Sequence, residues 1–272
     1  MPILHAIVLG ITQGLSEFLP ISSSGHLRLV PWLFGWDDFA GNEGLEKAFD
    51  VALHLGTLIG AVAYFRADIR RYLRAAFTSA GRNTQDRHVA RLLLVASVPA
   101  AVTGALFADA IEEHTGSIPL IASMLIVFGL VLYWADHLPG DRTVDEITLR
   151  DALLMGAGQA VALQPGVSRS GVTMTAGRFA GLGRDGAARF AFLMSLPITA
   201  GALVFKYVDV AGEGGIPADF VAPFVWGIVA SAVTGWLAVW GTLHIIRAHS
   251  FTPFVVYRIV VGVAMLVLYA VR

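Results

Sequence analysis

Apolar residues along this chain fall in blocks of about 20, separated by short charged loops. At 1.5 Å of rise per residue, a helix of that length crosses the roughly 30 Å of hydrocarbon in a bilayer. We therefore predict an all-α polytopic membrane protein. The pattern gives ten segments: 3–19, 22–35, 47–65, 90–108 and 117–135 in the first half, then 147–164, 168–182, 186–208, 219–244 and 251–271.

Two pairs of segments do not look like full membrane spans. Segment 22–35 would be about 21 Å long as a helix, which is too short to cross. The other pair is broken at Pro165 and Gly166. We interpret 3–35 and 147–182 as re-entrant helix hairpins, because broken backbone at membrane depth is tolerated only where protein or a watery cavity surrounds it. Both breaks are therefore expected at an internal site.

The two hairpins also resemble each other. At an offset of 146 residues, five positions of the first hairpin recur in the second: Gly10, Gln13, Ser22, Ser24 and Gly25 are matched by Gly156, Gln159, Ser168, Ser170 and Gly171. A weak internal repeat of this kind is typical of membrane proteins built from inverted halves. We predict two inverted five-helix repeats, residues 1–136 and 137–272, each with one re-entrant hairpin and three spanning helices.

The charged loops predict the orientation. Loop 66–91 holds seven arginines, whereas loop 36–46 holds four carboxylates and no basic residue. By the positive-inside rule the arginine-rich loop is cytoplasmic, and six full crossings place both termini and loop 36–46 outside. The first hairpin then dips from outside and the second from the cytoplasm, so their tips meet near the midplane.

Composition excludes several classes of function. Charged residues make up 14% of the chain, against about 25% in ordinary soluble proteins. The net charge is −1 and no basic stripe with interleaved aromatic residues is present, so we expect no nucleic-acid partner. Cysteine is absent, which rules out disulfides and thiolate metal sites.

The first hairpin gathers polar groups at its break. Gln13 and Glu17 are four residues apart and share a helix face, Pro20 stops that helix, and Ser22 is a good N-cap for the next one. A carboxylate, three hydroxyls and an imidazole thus come together at one break: Glu17, Ser22, Ser23, Ser24 and His26.

The second hairpin contributes the opposite charge. Gly166 permits a tight turn, Ser168 can cap the following helix, and Arg169 comes directly after that cap. Two helix N-termini would converge with Arg169 on one point, and such a point favours an anion, best of all phosphate. The candidate substrate-binding residues are Arg169, Ser168, Ser170, Thr173, Ser22 and Ser24.

Phosphate chemistry assigns roles to these residues and leaves some of them open. Arg169 and the helix N-termini can neutralise charge on a transferred phosphoryl group. Ser23 is a candidate nucleophile with His26 as its base, although His26 could itself attack. Glu17 could hold Mg²⁺ or Ca²⁺, orient His26 or activate water.

Other polar residues in the membrane have a structural alternative. Serine in membrane helices more often packs than reacts, and this applies to Ser22, Ser24 and Ser170. Asp50 and His54, four apart, either line the cavity or pair with each other. Arg258 is expected to be a structural partner for a buried carboxylate.

The two motifs together resemble a known family. The run from Gln13 through Glu-Phe-Leu-Pro-Ile-Ser-Ser-Ser-Gly to His26, followed by Pro-Gly-Val-Ser-Arg-Ser-Gly-Val-Thr at 165–173, is similar to the undecaprenyl-pyrophosphate phosphatase, or BacA, family. The resemblance covers nearly the whole chain. It implies a bacterial inner-membrane enzyme, with a site open to the periplasm, that removes the terminal phosphate of undecaprenyl diphosphate, recycles this lipid carrier for cell-wall synthesis and confers bacitracin resistance.

Carried over by motif position, the residues that the resemblance assigns to the active site are Glu17, Ser23, His26, Ser168, Arg169 and Thr173. Gln13 departs from the family, because other members have a second Glu there. The resemblance implies a divalent cation, Mg²⁺ or Ca²⁺, and the candidate ligands in this chain are then Glu17 and Gln13. The expected partners are a polyprenyl diphosphate lipid and the bilayer, and the oligomeric state stays open, a homodimer included.

Two competing functions use the same features. Inverted repeats with broken helices at the midplane are also the architecture of secondary transporters, so a transporter or flippase of a phosphorylated lipid or another anion is the alternative. Such a protein would need Arg169 but not Ser23 or His26. A second superfamily of membrane phosphatases fits less well, because no histidine follows Arg169 until His244.

Overall fold

The computed structural model describes residues 1–78, 84–212 and 215–271, without the side chains at 108–110, 112–115 and 207–212. Part of the arginine-rich loop, including Arg82, lies outside these residues. Within them the chain forms eleven α-helices and no β-strand. The helices are α1 Ile3–Phe18, α2 Ser23–Phe34, α3 Glu43–Tyr64, α4 Arg66–Phe77, α5 Gln85–Thr115, α6 Ile118–Asp136, α7 Leu149–Val161, α8 Arg169–Phe179, α9 Arg184–Gly212, α10 Ala218–Ala248 and α11 Thr252–Val271.

Each of the ten segments predicted from the apolar pattern coincides with a helix. The eleventh, α4, was missed because it is rich in arginine and occupies the charged loop predicted at 66–91. It is amphipathic: Tyr72 and Ala75 are buried, and its arginines are on the opposite side. The chain turns by 78° between α3 and α4, so α4 does not continue the line of the preceding helix.

The helices fit a polytopic membrane protein. Five are long and apolar enough to cross a bilayer by themselves, namely α5, α6, α9, α10 and α11. The bent pair of α3 and α4 passes the same test together, which brings the number to six. Helix α1 is apolar but shorter, and α2, α7 and α8 are shorter still.

Close helix contacts hold the broken pairs in place. Helix α1 packs along α10, which packs along α3, while α7 packs along α5. Small residues allow this approach, since a Cβ added to Gly14 would clash with Thr234 Oγ1 and would lie 2.8 Å from the Gly235 backbone nitrogen. Helix α8 lies against α6, α7 and α9, and α11 lies against α6. The ends of α1 and α8 are thereby enclosed by longer helices.

Ion pairs hold the helix ends near the 137–146 connection. Asp136 is buried, and its carboxylate accepts hydrogen bonds from Arg184 Nε at 2.5 Å and from the Phe251 backbone N–H at 2.9 Å. A cavity of about 900 Å³ opens beside it, and five arginines that line it are paired with aspartates. Because these arginines already have carboxylate partners, we interpret the lining of the cavity as a structural network of ion pairs.

Candidate active site

Two chain breaks have nearly the same backbone geometry. Ser22 precedes α2 with φ 76° and ψ 98°, and Ser168 precedes α8 with φ 74° and ψ 112°. Each serine caps its helix: Ser22 Oγ accepts from Gly25 N at 3.3 Å, and Ser168 Oγ accepts from Gly171 N at 3.1 Å. A positive φ at a residue other than glycine is strained, and such strain is concentrated at functional sites.

The two breaks are in contact with each other. Gly166 N–H donates to Ser22 Oγ at 3.1 Å, and Ser170 Oγ donates to the Leu19 carbonyl at 3.1 Å. Gly166 has φ 93°, and an added Cβ would lie 2.5 Å from the Ile121 carbonyl oxygen, so only glycine fits. The breaks therefore form one rigid junction, as the sequence predicted for an internal site.

Arg258 locks this junction from α11. Its side chain is 0% exposed, and its hydrogen bonds to the described residues go to backbone carbonyls. Two of these carbonyls are Pro20 O at 3.1 Å in the first break and Gly166 O at 3.0 Å in the second. The prediction of a structural role fits this position, but the predicted carboxylate partner was wrong. Broken backbone offers free carbonyls, and a guanidinium has enough donors to satisfy them.

Glu17 is the centre of a polar cluster beside the junction. Its Oε1 forms an ion pair with Arg169 Nη2 from the other break. Its Oε2 accepts from Ser23 Oγ at 2.6 Å and from Gln13 Nε2 at 3.0 Å. Glu17 is only 7% exposed, so these contacts compensate the burial of its charge. The first break supplies a carboxylate and a hydroxyl, and the second supplies the cation.

Arg169 has a second partner and some access to open space. Its Nη1 donates to Thr199 Oγ1 on α9 at 2.8 Å, and its side chain is 25% exposed. A gap too narrow to hold a water molecule adjoins Glu17 and Arg169 and is also lined by Phe192 and Ser195 of α9. The guanidinium is thus held by side chains that can exchange partners.

His26 faces away from this cluster. Its Nδ1 lies 2.7 Å from the Ser22 carbonyl oxygen, and its Nε2 lies 2.8 Å from the Tyr257 hydroxyl. The imidazole also stacks on the Tyr257 ring, with centroids 5.6 Å apart. The hydrogen bonds among the described residues connect Ser23 with Glu17 and do not connect it with His26. The predicted use of His26 as the base for Ser23 therefore has no support in this geometry.

Comparison with known proteins gives the family. A model of the bacitracin resistance protein BacA matches residues 6–264. The chain belongs to the BacA family. It is 48% identical over 270 residues to an undecaprenyl-diphosphatase of Geobacter sulfurreducens, covering 98% of both chains. It is 47% identical over 273 residues to an undecaprenyl-diphosphatase of Pelotomaculum thermopropionicum, covering 100% of this chain and 98% of the relative.

Within this BacA-family chain, most of the hydroxyls predicted to bind substrate have backbone partners. Ser22 and Ser168 are the two caps, and Ser170 donates to Leu19 across the junction. Thr173 is 0% exposed and donates to the Arg169 carbonyl oxygen at 2.7 Å within α8. Ser24 is exposed, with its Oγ 3.4 Å from Ser22 Oγ. This geometry favours a supporting role for the buried hydroxyls.

Sequence reasoning missed two residues that contact the candidate site residues and left the partner of a third, His54, unresolved. Thr199 and Tyr257 contact Arg169 and His26 from distant helices, and an isolated polar residue in an apolar span gives no signal for such a contact. His54 does not pair with the Asp50 carboxylate. Its Nδ1 lies 2.8 Å from the Asp50 backbone oxygen, and its Nε2 lies 3.7 Å from Glu17 Oε2.

The predicted metal ligands were tested against the donor atoms at the site. Gln13 Oε1 is buried and has no hydrogen-bond partner, so one oxygen beside Glu17 is left for a cation. Among the described residues no group of three or more His, Cys, Asp or Glu side chains is arranged for a metal. One carboxylate and one amide oxygen fit Mg²⁺ only when substrate phosphates complete the shell, as is usual for this ion.

Proposed function

We propose that this chain is an undecaprenyl-diphosphate phosphatase of the bacterial inner membrane. It hydrolyses the lipid diphosphate to the monophosphate and phosphate, which recycles the carrier for cell-wall synthesis and confers bacitracin resistance. Family membership and the names of the relatives support this proposal. The observation that carries it is the contact of Glu17 with both Ser23 and Arg169 at the junction of two breaks.

The terminal phosphate binds at Arg169 in this proposal. A guanidinium holds two phosphate oxygens at once, and the N-termini of α2 and α8 add backbone N–H groups and positive dipole ends. Entering phosphate oxygens compete with Glu17 for Arg169, and Thr199 keeps the guanidinium in position during the exchange. Binding of substrate thus releases Glu17 towards Ser23.

Ser23 is the proposed nucleophile and Glu17 its general base. Ser23 Oγ already donates to Glu17 Oε2 at 2.6 Å, which is the contact that proton removal needs. Ser23 Oγ attacks the terminal phosphorus, the bond to the bridging oxygen breaks, and the lipid monophosphate leaves with that electron pair. Water then cleaves the phosphoserine, and Arg169 neutralises charge on the phosphoryl group in both steps.

A divalent cation is a further part of the proposal. Glu17 and Gln13 Oε1 would hold Mg²⁺ together with oxygens of the bound diphosphate. When bound, the ion would neutralise charge on the substrate. We expect EDTA to weaken binding of the lipid diphosphate and added Mg²⁺ to restore it, as measured by the lipid concentration needed to raise the melting temperature of the protein.

The membrane arrangement that we propose is two inverted repeats with re-entrant hairpins at α1–α2 and α7–α8. Equivalent glycines support it: a Cβ on Gly10 would lie 2.6 Å from Gly227 O of α10, and one on Gly156 would lie 2.6 Å from Ala96 O of α5. The matching caps at Ser22 and Ser168 support it too. With loop 66–91 in the cytoplasm, the site opens to the periplasm.

The test of the function is phosphate release from undecaprenyl diphosphate by the purified protein in detergent. We expect wild type to release one phosphate per lipid and Ser23→Ala to release none while still binding the lipid. Release at a normal rate by Ser23→Ala would remove this serine from the mechanism. Binding and transfer of the lipid across vesicles without any phosphate release by wild type would support a transporter instead.

A further inference from the structure

Tyr257 connects α11 to the first break through the ring of His26. Its hydroxyl lies 2.8 Å from His26 Nε2, and the two rings stack with centroids 5.6 Å apart. On the other side of the imidazole, Nδ1 lies 2.7 Å from the Ser22 carbonyl oxygen. A carbonyl can only accept, so Nδ1 carries a hydrogen, and in the neutral ring Nε2 accepts from the Tyr257 hydroxyl. The two hydrogen bonds fix both the tautomer and the orientation of the imidazole.

Tyr257 is itself held in place by its neighbour in the chain. Arg258 donates to Pro20 O in the first break and to Gly166 O in the second. Helix α11 is thereby fixed to the junction at the residue next to Tyr257. The tyrosine hydroxyl is therefore a firm support for the ring that it binds.

The Ser22 carbonyl belongs to the peptide bond that leads into Ser23, the first residue of α2. Its oxygen also accepts from the His26 backbone N–H at 3.2 Å, so one residue holds it with both backbone and side chain. In a trans peptide the C=O and N–H bonds point in opposite directions, and the described residues have no cis peptide. Holding this oxygen towards the body of α2 therefore directs the Ser23 N–H out of the start of the helix, where the first N–H groups have no partner within it.

The second break has the same backbone conformation without such a ring. Ser168 has φ 74°, and its carbonyl oxygen accepts from the Val172 N–H at 2.9 Å. Val172 is the counterpart of His26 at the offset of 146 residues, and its side chain has no polar group. A capping serine with positive φ therefore forms without an imidazole. The histidine and its tyrosine occur at the break that supplies Ser23, the proposed nucleophile.

We propose that Tyr257 is a positioning residue for phosphoryl transfer that acts through His26 on the Ser22–Ser23 peptide, and this inference rests on the proposed function. Tyr257 holds the ring, and the ring holds the carbonyl oxygen. The peptide then places Ser23 Oγ and the Ser23 N–H for the terminal phosphate. No proton moves along these contacts, because in the proposed mechanism Ser23 gives its proton to Glu17. Displacing a reacting group by about 1 Å costs on the order of 10² in rate, so positioning alone has a large effect.

The first experiment measures kcat and KM for phosphate release from undecaprenyl diphosphate, together with the melting temperature. Tyr257→Phe removes only the hydroxyl and keeps the stacked ring. Tyr269→Phe is the matched control, because Tyr269 is another exposed tyrosine of α11. We expect Tyr257→Phe to lower kcat about fivefold to tenfold, with KM within about threefold and the melting temperature within a few degrees of wild type. Tyr269→Phe should match wild type in all three.

Variants of His26 separate positioning from proton transfer. Asparagine keeps an N–H donor at the place of Nδ1 and has nothing at the place of Nε2, whereas alanine has neither. We expect His26→Ala to lose kcat on the order of 10² and His26→Asn to stay within about tenfold of wild type. Because asparagine does not reach the tyrosine, adding Tyr257→Phe to His26→Asn should lower kcat by less than about twofold further.

Each other outcome counts against the inference. Wild-type kcat in Tyr257→Phe would overturn it, and so would a higher KM at unchanged kcat, which would mean that the hydroxyl contacts the substrate. His26→Asn as slow as His26→Ala would also overturn it, because the imidazole itself would then be required. A purely structural pair would lower the melting temperature and leave kcat of the folded protein near wild type, and Tyr257→Phe tests this even if the His26 variants fail to fold. Absence of phosphate release by wild type would instead refute the proposed function.

Discussion

Two arginines meet the same pair of chain breaks and are held in opposite ways. Arg169 is bound by side chains, Glu17 and Thr199, and its side chain is 25% exposed. Arg258 is 0% exposed and is bound by backbone carbonyls, among them Pro20 O and Gly166 O. From the sequence alone both are simply charged residues in apolar segments, where burying the charge costs free energy.

The difference distinguishes Arg258, which holds the backbone, from Arg169, which we propose to bind phosphate. A backbone carbonyl in a break cannot leave its place, so a guanidinium that satisfies several of them becomes part of the fold. A carboxylate on a side chain can move, so a guanidinium that it holds remains available for another anion. Arg258 therefore fixes the junction, whereas Arg169 stays available to bind phosphate in the proposed function.

Arg258→Lys is expected to have the largest effect. Lysine has three donors in place of five and no planar fork, so carbonyls of both breaks lose their partners. We expect a loss of about 3 kcal/mol or more in stability, with little folded protein recovered. Melting temperature in detergent checks this, and a variant as stable as wild type would remove the structural role.

Arg169→Lys should reduce turnover on the order of 10² and leave the melting temperature within a few degrees of wild type. Lysine keeps the charge but loses the fork that holds two phosphate oxygens in the transition state. Phosphate release and thermal unfolding are measured on the same preparation. Near-normal turnover would contradict the phosphate-binding role, and a large fall in melting temperature would make Arg169 resemble Arg258.

Thr199→Val tests whether the second partner of Arg169 positions it. Valine has nearly the shape of threonine but removes the hydroxyl that accepts from Nη1 at 2.8 Å. A lost hydrogen bond to a charged group corresponds to about tenfold in kcat/KM. When Thr199→Val is added to the Arg169→Lys variant, kcat/KM should fall little further. A further tenfold loss in that double variant would show that Thr199 does not act through Arg169.

Ser24→Ala is expected to have the smallest effect. The hydroxyl is exposed and lies 3.4 Å from Ser22 Oγ, so we expect turnover within about threefold and a melting temperature within a few degrees of wild type. Ser22→Ala is the matched comparison, because that hydroxyl caps α2 and accepts from Gly166 N. Equal effects of the two changes would contradict the distinction between them.

The sequence predicted the parts of the molecule that depend on local pattern. Apolar blocks gave the positions of ten helices, and proline, glycine and serine marked both breaks. The helix α4 was missed because its arginines made residues 66–77 part of the charged loop predicted at 66–91. The two motifs identified Glu17, Ser23 and Arg169 as candidate site residues. In the structure Glu17 contacts both Ser23 and Arg169.

What sequence could not supply were contacts that depend on tertiary packing. The carbonyl partners of Arg258 are backbone atoms, which every residue has, so no residue type signals them. Tyr257 reaches His26 from 231 residues away, and Thr199 resembles any other hydroxyl in an apolar helix. The spacing of Asp50 and His54 left two alternatives, lining a cavity or pairing with each other, and the histidine instead binds the Asp50 backbone oxygen and faces Glu17.

The central claim is that the two breaks act on one phosphoryl group, with Glu17 from the first and Arg169 from the second. A double-mutant cycle of phosphate-release turnover with Glu17→Gln and Arg169→Lys tests it most directly. If both residues serve the same step, the double variant should be within about threefold of the slower single variant. Losses that multiply in the double variant would contradict a shared site.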